Sequence, residues 1–192
     1  MNRRPLFLFR PIDRLRFPSR ADRAGARAGL DYNPPLATEH LHQRTEGAIM
    51  PTRHAEATWN GDLKTGNGEY TGKSGALAGK YSFGTRFGDT PGTNPEELVG
   101  AAHAACFSMA LAAGLGGAGH SPRRIHTTAD VTIDKVGEGF KVTKIVLRTE
   151  GEVPGIDEAT FREFAEKTKT GCPISQALAA TPMELQIASF KG

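Results

Sequence analysis

Cysteine is scarce in this 192-residue chain, which has two, Cys106 and Cys172. Two thiols cannot build the disulfide framework of a small secreted domain or a four-thiolate zinc site. Tryptophan occurs once, at Trp59, and aromatic residues make up only 7% of the sequence. A long apolar run near the start is also missing. The stretch Leu6 to Phe9 is closed by Arg10 and Pro11, whereas a secretory signal needs roughly 7–15 apolar residues. The Arg3-Arg4 pair therefore has no export segment behind it, and Asp13 and Asp22 argue against a transit peptide. The expected compartment is the reducing cytoplasm, where a cysteine pair is more often catalytic or metal-binding than structural.

An excess of one charge sign is missing from most of the chain as well. The formal charge is +3, but residues 1–49 hold nine Arg, no Lys and five acids, a net of +4. Subtracting these from 24 basic and 21 acidic residues leaves 15 against 16 in residues 50–192, a net of −1. That part gives no electrostatic reason to expect nucleic acid. Residues 1–49 are expected to be a disordered Arg-rich extension, or sequence upstream of a true start at Met50. Residues 50–192 are expected to form one domain with a core of its own.

What is present falls into clear elements. "RHAEATW" alternates Ala55, Ala57 and Trp59 against His54, Glu56 and Thr58, the period of a half-buried strand. Glycines divide "GNGEYTGKSGALAGKYSFGTRF" into two or three further short strands. Asn94 is a good N-cap, with Pro95 at N1 and Glu97 at N3 completing a capping box, and the helix it opens ends near Gly114, Gly116 and Gly117. "HTTADVTIDKVGEGFKVTKIVLRTEGEV" reads as a hairpin turning at Gly137 and Gly139. A helix follows from Asp157 with Phe161, Phe164, Ala165 and Thr168 on one face, then a short helix from Cys172 and Pro173, then the strand "MELQIASF". This order predicts an α+β fold with an antiparallel sheet.

The helix after Asn94 is apolar on nearly every side and about 30 Å long. Its Ala and Gly content, with His103 and Ser108 inside it, argues against a membrane span. A helix of this kind must be covered all round, and its small residues would let a second helix approach closely. A homodimer with this helix near the twofold axis is expected.

Both thiols have more than one reading. Cys172 lies where a helix start favours an anion and lowers a thiol pKa, but it also fits as a small buried residue. Cys106 should be inert in an apolar helix unless a cation reaches it. Arg86 in "FGTRFGD" is the leading candidate, placed among strand-like aromatics, with Glu96 or Glu97 as its partner. Glu96 could equally serve as an acid complementing the helix dipole. Ten residues separate Glu96 from Cys106, about 15 Å along a straight helix. Either Arg86 bridges them or a second copy supplies one side. His103 and Cys106, three residues apart, could join Cys172 as metal ligands or form a hydrolase dyad, although no fourth ligand or oxyanion hole is evident.

"GTNPEELVGAAHAACFSMAL", with "GCPISQAL" some 66 residues later and "TTADVTIDKV" and "VPGID" between, resembles the OsmC/Ohr (osmotically inducible protein C and organic hydroperoxide resistance) family of thiol peroxidases. The likeness spans residues 52–190, leaves out the first 49, and is closest to the osmotically inducible branch. It implies an intertwined homodimer, with antiparallel sheets wrapped around long central helices. It also implies reduction of organic hydroperoxides, and in some members hydrogen peroxide, under oxidative and osmotic stress. The same resemblance implies that neither metal nor flavin is needed and that an external dithiol, lipoyl-type in the resistance branch, serves as reductant. By the same resemblance Cys106 is the peroxidatic thiol, Cys172 the resolving thiol, Arg86 the active-site arginine and Glu96 the carboxylate that orients it. The competing reading is a small-molecule binding protein or peroxide sensor using the same interface pocket.

Overall fold

The computed structural model describes residues 51–192. The expected boundary at residues 49–50 and the expected character of the segment before it lie outside the described residues. The first three strands, β1 (Ala55–Asn60), β2 (Asn67–Gly72) and β3 (Ala78–Ser82), form an antiparallel meander. Gly68 stands opposite both Trp59 and Tyr81 in the register. A Cβ there would come within 2.4 Å of the Tyr81 ring and 2.9 Å of Trp59, so glycine is what lets the two rings lie across the strand. The face expected to be buried is largely open in the single chain. Ala55 and Ala57 are exposed and Trp59 is only half-buried, because no other layer of the described chain covers that sheet.

Ser82 ends β3 and opens α1 (Phe83–Phe87) through a complete capping box with Thr85. Arg86 therefore sits on a helical turn, not on the strand-like segment expected. The box satisfies the backbone donors that a strand would have left for pairing. Asn94 caps α2 (Pro95–Gly117) by accepting the Glu97 N–H at 2.9 Å. Only that half of the predicted capping box is present; the Asn94 Nδ2 group instead donates to Thr85 O and ties the two helix starts together.

The second sheet has the order β4-β5-β6, built from β4 (Arg124–Val136), β5 (Gly139–Glu152) and β6 (Met183–Lys191). The hairpin is closed by Gly137 and Glu138. Gly137 has φ +61°, the positive value required at the first central position of a type II′ turn. The α+β class stands, with one departure from the antiparallel expectation, since β5 and β6 run parallel. The reason is length: α3 (Glu158–Gly171) and α4 (Pro173–Ala177) fill the connection, and a crossover of a dozen or more residues permits a parallel return.

The core lies between this sheet, α3 and one face of α2. That face carries Gly100, His103, Phe107, Leu111 and Leu115 at helical spacing, and it meets Leu147, Val153, Phe161 and Ala165. By length and composition α2 is long and apolar enough to cross a membrane, yet its inner face is packed in this core and includes buried Glu96 and His103. Its outer face is bare: Ala101, Ala102 and Ala105 are exposed and Met109 is 75% exposed. Polar atoms between layers pair with one another in the hydroxyl chain Ser108–Thr127–Thr149, which links α2 to β4 and β5.

Gly151, on the central strand β5, lies directly beneath the Phe161 ring, where a Cβ would approach to 2.5 Å. Gly151→Ala is expected to lower unfolding stability by about 1–3 kcal/mol, since the added methyl must displace the fully buried Phe161 ring or the strand. Urea denaturation at matched protein concentration measures it.

Candidate active site

Two pairs of side chains stand out, one at each end of the first half of α2. At the helix start, Arg86 makes a two-pronged contact with Glu96, Nε to Oε2 at 3.1 Å and a terminal guanidinium nitrogen to Oε1 at 2.7 Å. The Asn94 bond to Thr85 O holds α1 against α2, so the fork is fixed by backbone, not only by the ion pair. Glu96 is largely buried, which makes a planar, bidentate partner worth more than a surface ion pair. The guanidinium also lies 5.0 Å above the Phe87 ring. It faces a cavity of about 450 Å³ whose apolar wall is formed by Trp59, Leu63, Tyr81, Phe83 and Phe87.

Further along α2, Cys106 meets Cys172. The sulfurs are 3.1 Å apart and both thiols are free. Cys106 is half-buried, and Cys172 has no exposed surface. Cys172 is held from both sides in sequence: its N–H donates to Thr168 O and closes α3, and its carbonyl accepts from Gln176 in α4. Although its side chain makes no capping bond of full geometry, N–H groups of α4 face the sulfur. Burial pushes the Cys172 thiol up, but the Ser175 N–H, the Cys106 thiol, the Ser175 hydroxyl and the Ile174 N–H together bring it below its ordinary value. Cys106 moves the other way: burial raises it, contact with Cys172 raises it further, and the Ile174 N–H offsets only part.

The four residues singled out in the sequence thus form two pairs and not one cluster. Arg86 is clamped to Glu96, about 15 Å along the helix axis from Cys106, and among the described residues no cation is supplied beside Cys106. His103 does not join the thiols as a metal ligand set, and among the described residues no three His, Cys, Asp or Glu side chains gather around a possible ion. Its Nε2 goes to Ser175 Oγ at 2.8 Å. Ser175 is the residue that sequence reasoning passed over. The available signal was its position three residues after Cys172, matching the three-residue spacing of His103 and Cys106.

Fold and site define a redox protein of the α+β class, with a dithiol formed between the long helix α2 and the start of α4, and a partly buried arginine–carboxylate fork at the start of α2. Residues 87–188 match the family model described as OsmC-like protein. The chain is 55% identical to peroxiredoxin OsmC of Escherichia coli strain K12 over 129 residues, covering 67% of this chain and 90% of that one. It is 31% identical over 132 residues to an organic hydroperoxide resistance protein of Xanthomonas axonopodis pv. citri, covering 67% and 87%. The fold matches the organic hydroperoxide resistance protein OhrB of Bacillus subtilis, with a TM-score of 0.55 at 24% identity over 70% of this chain and 97% of that one. An OsmC-like protein of unknown function from Vibrio cholerae aligns with a TM-score of 0.59 at 17% identity over 72% and 99%. The chain belongs to the OsmC-like protein family, on the OsmC side of the OsmC/Ohr group.

Two thiols in contact titrate as a pair. Thiolate ultraviolet absorbance is expected to rise in two steps, one below the ordinary thiol range and one above it, because the first thiolate is stabilised by the remaining S–H and then repels the second. Cys106→Ser and Cys172→Ser should each leave a single step. A wild-type titration with one merged step at the ordinary value would contradict the contact.

Proposed function

We propose that this chain is a two-cysteine peroxidase that reduces organic hydroperoxides to alcohols, working as a homodimer without metal or flavin and recycled by an external dithiol of the lipoyl type. The observation that carries the reading is the pair of free thiols at 3.1 Å, one reachable from outside and one sealed. The relatives named a peroxiredoxin and an organic hydroperoxide resistance protein support the reaction class.

The Cys106 thiolate attacks the terminal peroxide oxygen, the O–O bond breaks, and the alkoxide leaves and takes a proton; Cys106 becomes a sulfenic acid. Cys172 then attacks Cys106 Sγ, forming the disulfide and releasing water. Burial alone disfavours the Cys106 thiolate, so a fixed cation is needed. Arg86 of a second copy would supply it, hydrogen-bonding the developing alkoxide as well, while Glu96 holds the guanidinium fork in place. The aromatic wall beside Arg86 suits a hydrocarbon tail.

Three features support the dimer: the bare outer face of α2, the uncovered β1–β3 sheet, and the separation of Arg86 from Cys106 within one chain. The reducing cytoplasm is the compartment in which two free thiols are restored after each turnover.

Treatment of reduced protein with one equivalent of cumene hydroperoxide should remove about two mass units per chain, and the change should vanish in Cys106→Ser. Cys172→Ser should gain one oxygen and fail to recycle with a dithiol. Arg86→Ala should slow peroxide consumption about 100-fold or more. Co-expressing Arg86→Ala with Cys106→Ser should recover about a quarter of wild-type activity, because half of the dimers would hold one complete site built across the interface. No recovery would place Arg86 on the same chain as the thiol it serves.

A further inference from the structure

His103 is fully buried, and the reaction above gives it no task. Its Nε2 lies 2.8 Å from Ser175 Oγ, and its Nδ1 is buried with no hydrogen-bond partner among the described residues. Burial lowers its pKa, so the ring is held neutral and carries one proton. An acceptor lone pair is less costly to leave unpartnered than an N–H, which puts the proton on Nε2 and the bare lone pair on Nδ1. In that tautomer the ring donates to Ser175 Oγ. The Ser175 hydroxyl, 3% exposed and with its acceptor side filled, is then free to donate elsewhere. Cys172 is the N-cap of α4 and Ser175 its third residue, which sets the hydroxyl in the first turn over the capping sulfur, and the hydroxyl is among the groups that lower the Cys172 thiol.

We infer that His103 and Ser175 are positioning residues for the resolving thiol: His103 fixes the Ser175 hydroxyl as a donor to Cys172, so that Cys172 is the sulfur that closes the disulfide and the sulfur that leaves when it is reopened. The inference rests on the peroxidase reading and adds a direction to its second half. In closure, Cys172 ionises, its thiolate attacks Cys106 Sγ, the S–O bond breaks, and the departing hydroxide takes up the released proton as water. In recycling, the exposure difference decides which sulfur an external dithiol can reach. Cys106 is half-buried and Cys172 fully buried, so a reductant thiolate attacks Cys106 Sγ and forms a mixed disulfide there. The electron pair of the broken S–S bond goes to Cys172, which leaves as a thiolate facing the Ser175 hydroxyl. The second reductant thiol then displaces Cys106, and the reductant departs as its own disulfide. A row of donors, ring N–H to hydroxyl to sulfur, polarises along its length and stabilises negative charge more than the hydroxyl alone.

The test compares wild type, Ser175→Ala, His103→Leu and His103→Gln in single turnover with cumene hydroperoxide. Peroxide loss reads the first step, and intact mass with dimedone trapping of sulfenic acid reads closure. Ser175→Ala and His103→Leu should close the disulfide about tenfold more slowly, with trapped sulfenic acid accumulating, while peroxide loss stays within about twofold of wild type. His103→Gln, whose amide N–H can still reach Ser175, should restore closure. Ser175→Ala removes a single oxygen and keeps the test usable if His103→Leu does not fold. Closure at the wild-type rate in Ser175→Ala overturns the inference, as does an equal slowing of both steps, which would mark a purely structural role. A wild-type chain that neither gains oxygen nor loses two mass units, by contrast, removes the peroxidase reading itself and the inference with it.

Discussion

Burial of one face of α2 is the constraint on which the rest of the structure depends. The same row of side chains that fills the core, Gly100, Phe107, Leu111 and Leu115, also carries Glu96 at its start and His103 in its middle. Packing these residues against β4, β5, α3 and α4 fixes the rotation of the helix about its axis. Once that rotation is set, Glu96 must face Arg86, His103 must face Ser175, and Cys106, one position before Phe107, is brought to the rim of the core against Cys172. Gly100 shows how little freedom remains: a Cβ there would lie 3.0 Å from the carbonyl oxygen of Ala129 on β4.

Polarity within this packing is graded. The fork at Arg86 and Glu96 is ionic, partly exposed and rigid, and it borders an aromatic cavity. The dithiol is nearly apolar, and one of its sulfurs is sealed from solvent. Burial penalises a thiolate at both sulfurs, and the polar groups of α4 reverse that penalty at Cys172 alone. In an isolated chain the negative charge therefore sits more comfortably on the sealed sulfur. A guanidinium brought to the exposed sulfur from outside the chain would reverse that preference, which links chemistry to assembly.

Much of the fold was legible because its signals are local. Asn94-Pro95 marks the start of α2, Gly137 the hairpin turn, and Asp157 the cap of α3, each through backbone chemistry that acts within a few residues. The misreadings came where local signals compete or tertiary pairing decides. The aromatics around Arg86 suggested a strand, but the Ser82–Thr85 box made a helical turn there. β6 carries the alternation of any strand, and nothing in that alternation says whether it will run with β5 or against it. The alternation in β1 predicted a buried face that the described residues do not cover.

The sequence by itself determined the class of fold, the family and the identity of the candidate residues, because family motifs and cap and turn signals are written in residue type and spacing. It also determined that Glu96 and Cys106 cannot touch on one straight helix, since ten residues at a fixed rise set that distance. Only the tertiary structure decided that Cys172, 66 residues away, lies at 3.1 Å from Cys106, that Arg86 is spent on Glu96 and not on the thiols, and that His103 reaches Ser175. These are contacts between side chains distant in sequence, whose geometry follows from how helices pack on a sheet, and residue spacing along the chain does not fix it.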